Sequence, residues 1–423
     1  MKIYRKTETD ALLSMLADRA ENISPEIMNT VSAVIDKVRK EGDAALLEYT
    51  ERFDKVKLTS LYMTESEKDE LIKKVPAELR CAIDEAAENI RAFHEKQKQN
   101  SWMMNGDGKV MGQLVRPLER VGLYVPGGTA AYPSSVLMNA IPAKVAGVEK
   151  ITMVTPPKNE GINPAVVYAA KVAGISDIVM VGGAQAVAAL AYGTESVERV
   201  DKIVGPGNIF VAMAKKLVFG AVDIDMIAGP SEVLVIADDR ANPAYVAADL
   251  MSQAEHDPMA ASILITTSEE LADKVLTEID IQKAQLSRCD IIDRSLDAYG
   301  SVIVVDSLDE AVELSNRIAP EHLELSVADP FALLGKVKNA GSIFLGDNAP
   351  EPLGDYFAGP NHVLPTNGTA RFSSALGVDS FVKKSSYLYY DEAALKAIGK
   401  KVITFADAEG LSAHANSIAQ RLK

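Results

Sequence analysis

Apolar residues in the first hundred positions recur three and four apart: Leu12, Leu13 and Leu16, then Ile27, Val31, Val34, Ile35 and Val38. That spacing puts them on one face of successive helices, and residues 1 to about 110 are predicted to be helical. A further helix is predicted over 67–98, broken early by Pro76, which lacks an N–H for the preceding turn. Gly106-Asp107-Gly108 reads as a turn. From Arg120 the pattern changes to short β-branched runs alternating with helix-length segments. Strands are predicted at 121–125, 151–155, 177–181, 202–204, 233–237, 262–266, 301–305, 323–327 and 342–345. Helices are predicted near 135–147, 164–174, 184–192, 209–219, 243–255, 308–317 and 330–339. Such alternation predicts βαβ units and parallel sheets, hence an α/β fold. The runs fall into two sets split near Glu232, which predicts two lobes of similar design.

Two stretches stand apart from this alternation. The uncharged run 178–194 is just short of a membrane span and carries Gly182-Gly183 and Gln185 near its centre; a buried strand, a glycine turn and a helix account for it. The part from about Gly377 is a small appendage. It follows a polar loop at Asn367-Gly368-Thr369, contains a predicted turn at Lys383-Lys384-Ser385-Ser386, and ends in a predicted helix over 407–422 that carries Glu409 and His414.

Composition narrows the class. Hydrophobic residues make up 48% and charged residues 24% of the 423 positions, an ordinary globular balance, and the length suggests about three lobes. The net charge is −15, which argues against a nucleic-acid or anionic-membrane partner. Two cysteines, Cys81 and Cys289, exclude a disulfide framework and fit a reducing, cytoplasmic compartment. Any metal must therefore be held by imidazole, carboxylate or amide groups. The opening residues Met1 to Lys6 run into Thr7-Glu8-Thr9-Asp10 without the apolar core of a signal peptide.

Candidate chemistry gathers at element ends. Ser252-Gln253-Ala254-Glu255-His256-Asp257-Pro258 closes a helix that opens on Asn242 as N-cap and Pro243 at its first position. Gln253 and His256, three apart, share a helix face. They suit either a borderline metal such as zinc or a hydrogen-bonded histidine at a helix end. Ligands in α/β sheets collect beyond the carboxyl ends of strands. Three glycine-bearing loops stand there: 122–128 after the first strand, Val181-Gly182-Gly183-Ala184-Gln185, and Val204-Gly205-Pro206-Gly207-Asn208. Each offers backbone N–H groups at a helix start, where a pyrophosphate sits well, although none matches Gly-x-Gly-x-x-Gly. Ser231, in the turn 225–232, either touches a substrate or closes the turn. Glu321 and His322 precede a strand and point to opposite sides of the chain; they serve as successive bases on one substrate, or as a surface acid and a half-buried imidazole. A glycine- and proline-rich loop over 351–362 offers Asp355 as an oxygen ligand and His362 as an imidazole. His94, among Glu95, Lys96 and Lys98, is expected on a solvated face.

Taken together, Gly229-Pro230-Ser231-Glu232, Ser252 to Asp257, Pro320-Glu321-His322-Leu323-Glu324, Gly354-Asp355-Tyr356 with Ala358 to His362, and Glu409-Gly410-Leu411 followed by His414 resemble the histidinol dehydrogenase family over nearly the whole chain. The resemblance implies a zinc- and NAD-dependent enzyme that oxidises L-histidinol to L-histidine. It implies Gln253, His256 and Asp355 as zinc ligands from one subunit and His414 as the fourth, from the partner of a homodimer. Glu321 and His322 become the catalytic pair. Ser231 and Glu409 become substrate contacts, alongside Gln253, His256, His322, Asp355 and His414. Tyr124, Gln185 and Asn208 become NAD contacts. The implied fold is two incomplete Rossmann-like lobes with an N-terminal helical segment and a small C-terminal domain, assembled as an intertwined homodimer. The expected division is an arm at 1–24, a helical part of one lobe at 25–120, the cofactor lobe at 121–232, the remainder of the first lobe at 233–376, and an appendage at 377–423 reaching the partner. Two rivals remain: a zinc dehydrogenase for another polar diol, and a non-catalytic zinc- or nucleotide-binding relative.

Overall fold

The computed structural model describes residues 1–4, 8–21, 25–127 and 132–423. Arg5, Lys6, Thr7, Gly128 and Ser24, the last residue of the expected arm, lie outside them. Two all-parallel sheets organise the chain. In a six-stranded sheet the order is Lys2–Tyr4, Ser301–Val304, Ala261–Thr266, Glu232–Ala237, His322–Ser326 and Ser342–Leu345. In a five-stranded sheet it is Asp177–Val179, Lys150–Val154, Arg120–Tyr124, Lys202–Val204 and Asp223–Ile224. All six side chains of Glu232–Ala237 and of Ala261–Thr266 are buried. That is the signature of strands covered by helices on both faces, and it explains why Val233 to Ala237 and Ile263 to Ile265 are apolar without alternation. The split near Glu232 is where the chain leaves one sheet for the other.

The helices at 25–95, grouped in the sequence reading with residues 233–376, share their buried side chains with the five-stranded sheet instead. Val31, Ile35 and Leu46 pack with Val179, Leu190 and Ile203, and Ile83, Ala87 and Ile90 pack with Met138, Ile141 and Val166. The N-terminal helix Thr9–Glu21 goes to the six-stranded sheet, where Leu12 is fully buried beside Ile236 and Leu323.

Several local expectations are corrected. The first 110 residues are not all helix: Lys2–Tyr4 is an edge strand, and Trp102–Gly106 turns back through Asp107-Gly108 into Lys109–Pro117. The expected turn at Lys383 to Ser386 lies inside a nine-residue strand, Val382–Tyr390, paired antiparallel with Lys109–Pro117. Lys383 to Ser386 are exposed one after another, so both faces of this edge strand of a three-stranded sheet are open to solvent there. The helix expected over 330–339 stops at Leu334. The terminal helix is two, Glu392–Ala408 and Ser412–Arg421, because Gly410 at φ 72° takes a left-handed turn between them. Glu409 ends the first and His414 opens the second. His94 is not solvated: it is fully buried, its Nδ1 2.8 Å from the carbonyl of Ile90. Charged neighbours in sequence hid it, because they point to other faces of the same helix. No helix among the described residues is long and apolar enough to cross a membrane.

Candidate functional site

The helix Pro243–Ala254 follows strand Glu232–Ala237 and runs back along it. Twelve residues of helix span roughly 18 Å and six of strand roughly 20 Å, so the helix end returns to the strand's amino edge. Asn242 caps this helix by accepting the N–H of Ala244 at 3.0 Å, with Pro243 next, as its sequence predicts. Gln253, 1% exposed, therefore arrives beside the first residues of Glu232–Ala237 and His322–Ser326. His256 follows one turn later, its N–H donating to the carbonyl of Gln253 at 3.2 Å. This cluster thus lies at the amino edge of its sheet, opposite to the carboxyl-edge rule. Only the loops of the five-stranded sheet obey that rule.

Glu321 and His322 lead into the interior strand His322–Ser326 at this edge and are 6% and 4% exposed; the half-buried and surface alternatives fall away. His322 Nδ1 lies 3.0 Å from the carbonyl oxygen of Glu232. A carbonyl only accepts, so Nδ1 carries the proton and Nε2 keeps its lone pair. Nε2 is buried, has no hydrogen-bond partner among the described residues, and stands 3.9 Å from Asp355 Oδ1 and 4.0 Å from Glu351 Oε1. Burial holds the ring's pKa below its ordinary value, so the neutral form prevails. Glu321 Oε2 accepts the N–H of Glu232 at 2.9 Å. Burial, reinforced by the charges of Glu232, Glu351 and Asp355, lifts its carboxyl well above the usual range.

The segment expected as loop begins with a short helix, Glu351–Tyr356. Its four-residue spacing puts Glu351 and Asp355 on one face, and with His256 they offer ligand atoms all within 4.8 Å of one another. Burial is the first cause of raised pKa values in both carboxyls, to about 8 for Glu351 and about 7 for Asp355. Gln253 Oε1 is buried without a partner among the described residues. Packed carboxylates, an imidazole and an orphaned amide oxygen suit a hard-to-borderline divalent cation, whose charge would relieve both strains. Sequence reasoning missed Glu351. The signal was its four-residue spacing to Asp355, concealed by Pro352 and Gly354, which read as loop. His362 braces the site from behind, its Nδ1 3.1 Å from the carbonyl of Asp355. Ser231 directly precedes Glu232 at the same edge, half-buried. Glu409 and His414 are exposed on the C-terminal helices, and His414 is not in the metal-competent group of its own chain.

At the carboxyl edge of the five-stranded sheet, Tyr124 and Gln185 are buried and Asn208 caps the next helix. The hydroxyl of Tyr124 accepts the N–H of Gly183 at 3.0 Å, and burial pushes its pKa to about 12, leaving its own O–H free to donate. Asn208 Oδ1 accepts the N–H groups of Phe210 and Val211 at 3.1 and 3.2 Å, leaving its amide N–H₂ for a ligand. Gly205, at φ 111°, passes so close to Tyr124 that a Cβ would lie 2.1 Å from that residue's carbonyl oxygen. Asp225 fixes it by accepting the Gly205 N–H at 2.8 Å while pairing with buried Lys215. A backbone pinned open with small residues fits the close approach of a dinucleotide.

An α/β chain whose buried acid–base pair adjoins a metal-competent group is, by this geometry, an enzyme acting on a small polar molecule. The family model for histidinol dehydrogenase matches residues 17–422. A histidinol dehydrogenase of Clostridium acetobutylicum is 59% identical over 96% of this chain and 95% of its own, and one of Geobacter sulfurreducens is 56% identical over 99% of both. The crystal structure of histidinol dehydrogenase from Elizabethkingia anophelis, 41% identical, matches all of this chain and 98% of its own with a TM-score of 0.95. The chain belongs to the histidinol dehydrogenase family.

Proposed function

We propose that this chain is a zinc- and NAD-dependent L-histidinol dehydrogenase of the cytoplasm, carrying histidinol through the aldehyde to L-histidine. The observation that carries the reading is His322: its Nδ1 is fixed on a carbonyl, while its Nε2 is buried, without a hydrogen-bond partner among the described residues, and 3.9 Å from Asp355 Oδ1. That is the arrangement of a general base with its tautomer already chosen. Zinc, when bound, anchors the imidazole and amino nitrogens of histidinol, and NAD accepts a hydride in each of two oxidations. Gln253, His256 and Asp355 would hold the metal with His414 of the partner subunit in a homodimer, Glu351 lying against the same group. Tyr124, Gln185 and Asn208 would hold NAD. Ser231 and Glu409 would orient the substrate.

His322 takes the hydroxyl proton at Nε2 as hydride leaves the carbinol carbon. Glu321, its carboxyl raised by burial, removes a proton from water as that water adds to the aldehyde, while His322 returns its proton to the carbonyl oxygen, giving the hydrate and a neutral imidazole; Glu321 then releases its proton to solvent. His322 then takes the hydrate's proton in the second oxidation. Retaining the aldehyde in a closed site prevents its loss to solvent or to amines.

Two NADH should form per histidinol consumed, followed at 340 nm against a measured substrate endpoint. A ratio of one, or strong preference for a simple diol, would favour the rival dehydrogenase. Asp355→Ala should weaken zinc binding by more than about 100-fold, since partners one shell further out already cost 10–100-fold. Metal analysis after dialysis against a graded chelator checks this, and unchanged zinc content would remove Asp355 from the ligand set.

A further inference from the structure

We infer that Arg19, on the N-terminal helix, is a positioning residue for the acid–base pair and acts through Glu232. The inference rests on the assignment of Glu321 and His322 as that pair.

Glu232 holds both groups with its main chain. Its N–H donates to Glu321 Oε2 at 2.9 Å, and its carbonyl accepts from His322 Nδ1 at 3.0 Å. A small rotation of this one residue therefore moves both groups together. Such rotation is opposed on the sheet side by the register, which sets Glu232 beside Ala261 and the next residue, Val233, beside His322. On the other side the Glu232 side chain, itself buried, forms an ion pair with the fully buried guanidinium of Arg19. Burial pushes the pKa of Glu232 up, and the Arg19 guanidinium opposes that shift.

Arg19 does more than neutralise. Its Nη1 also donates to the carbonyl of Met259 at 2.9 Å and reaches that of Ser231 at 3.4 Å. One planar fork thus ties three segments: the N-terminal helix, the strand entry at 231–232, and the loop that follows His256. Only arginine presents donors in this fixed spread; a lysine ammonium on a flexible stem cannot hold the same acceptors in one plane. Among the described residues Arg19 makes no hydrogen bond or ion pair to Gln253, His256, Glu351 or Asp355, and its reach to Ser231, the longest of its hydrogen bonds, goes to the main-chain carbonyl and leaves the hydroxyl free for substrate. Its loss should therefore fall on turnover rather than on anchoring of the substrate.

The test uses full-length R19Q, R19K and R19Q/E232Q. In R19Q, kcat for histidinol should fall about 10²-fold, the usual effect of displacing a catalytic group by about 1 Å, with KM changed less than about threefold. R19K should recover only part of the loss. R19Q strands a buried carboxylate and is expected to melt early. R19Q/E232Q removes that charge, so its melting temperature should return toward wild type while kcat stays low. Recovery of kcat along with stability would reduce Arg19 to a counter-charge and overturn the inference. An independent readout is the imidazole ¹⁵N spectrum of His322, identified by its loss in H322A. Wild type should show a proton on Nδ1 only, and R19Q/E232Q a mixture of tautomers. An unchanged His322 signal in that folded double variant also overturns the inference, whether or not the wild type oxidises histidinol. Failure of the wild type on histidinol would instead reject the functional reading.

Discussion

His322→Ala should lower kcat for histidinol about 10³-fold, in the middle of the range for removal of a general base, while the protein keeps its zinc. The asymmetry follows from geometry. The imidazole is buried, its Nδ1–H donates to the Glu232 carbonyl, and its free nitrogen stands 3.9 Å from Asp355 without joining the His256, Glu351 and Asp355 group. Alanine removes the unprotonated imidazole nitrogen proposed to take the hydroxyl proton and leaves every proposed ligand in place. Rapid-mixing kinetics with metal analysis on the same preparation read both halves. A variant within tenfold of wild type would remove His322 from the chemistry, and a variant without zinc would make it a ligand instead.

Mixing subunits should restore what each lacks. His414→Ala and His322→Ala proteins are each expected to be inactive. Dissociated together and reassembled, they should recover about a quarter of wild-type activity, because random exchange gives about half heterodimers with one of two sites intact. The intact site pairs an undamaged body from one chain with an undamaged tail from the other. The motive is structural. His414 is exposed on the C-terminal unit, outside the metal-competent group of its own chain. That unit is tied to the body through the pairing of Val382–Tyr390 with Lys109–Pro117. Heterodimers demonstrated by mass spectrometry but without activity would mean that the tail completes the site of its own subunit.

Much of the fold was legible because parallel sheets write themselves plainly. Runs such as Val233 to Ala237 are apolar on both faces, and the intervening helices carry cap residues such as Asn242 and Asn208. Where the sequence misled, two-dimensional adjacency outweighed local pattern. Lys383 to Ser386 reads as a turn by composition, yet its register with Arg116 to Gln113 makes it strand. An edge strand solvated on both faces tolerates consecutive polar residues that a buried strand would not. His94 reads as solvated by its neighbours, yet the helix turns it inward. At the site, Gln253, His256, Glu321, His322 and Asp355 were nameable from motif and resemblance. Glu351 was hidden by proline and glycine. Arg19 was invisible, because it lies more than two hundred positions from Glu232 and no periodicity marks it. Its role exists only once the sheet has been closed by its N-terminal edge strand.

The single tryptophan of the chain, Trp102, lies 52% exposed on the edge strand Trp102–Gly106 beside Met103 and Met104, which are exposed as well. Neither parallel sheet contains an indole. Tryptophan emission, excited to the red of tyrosine absorption, is therefore a local gauge, responding to whatever solvent or surface lies over the small antiparallel sheet. The collapse of the two large cores has to be followed by ellipticity or by amide exchange.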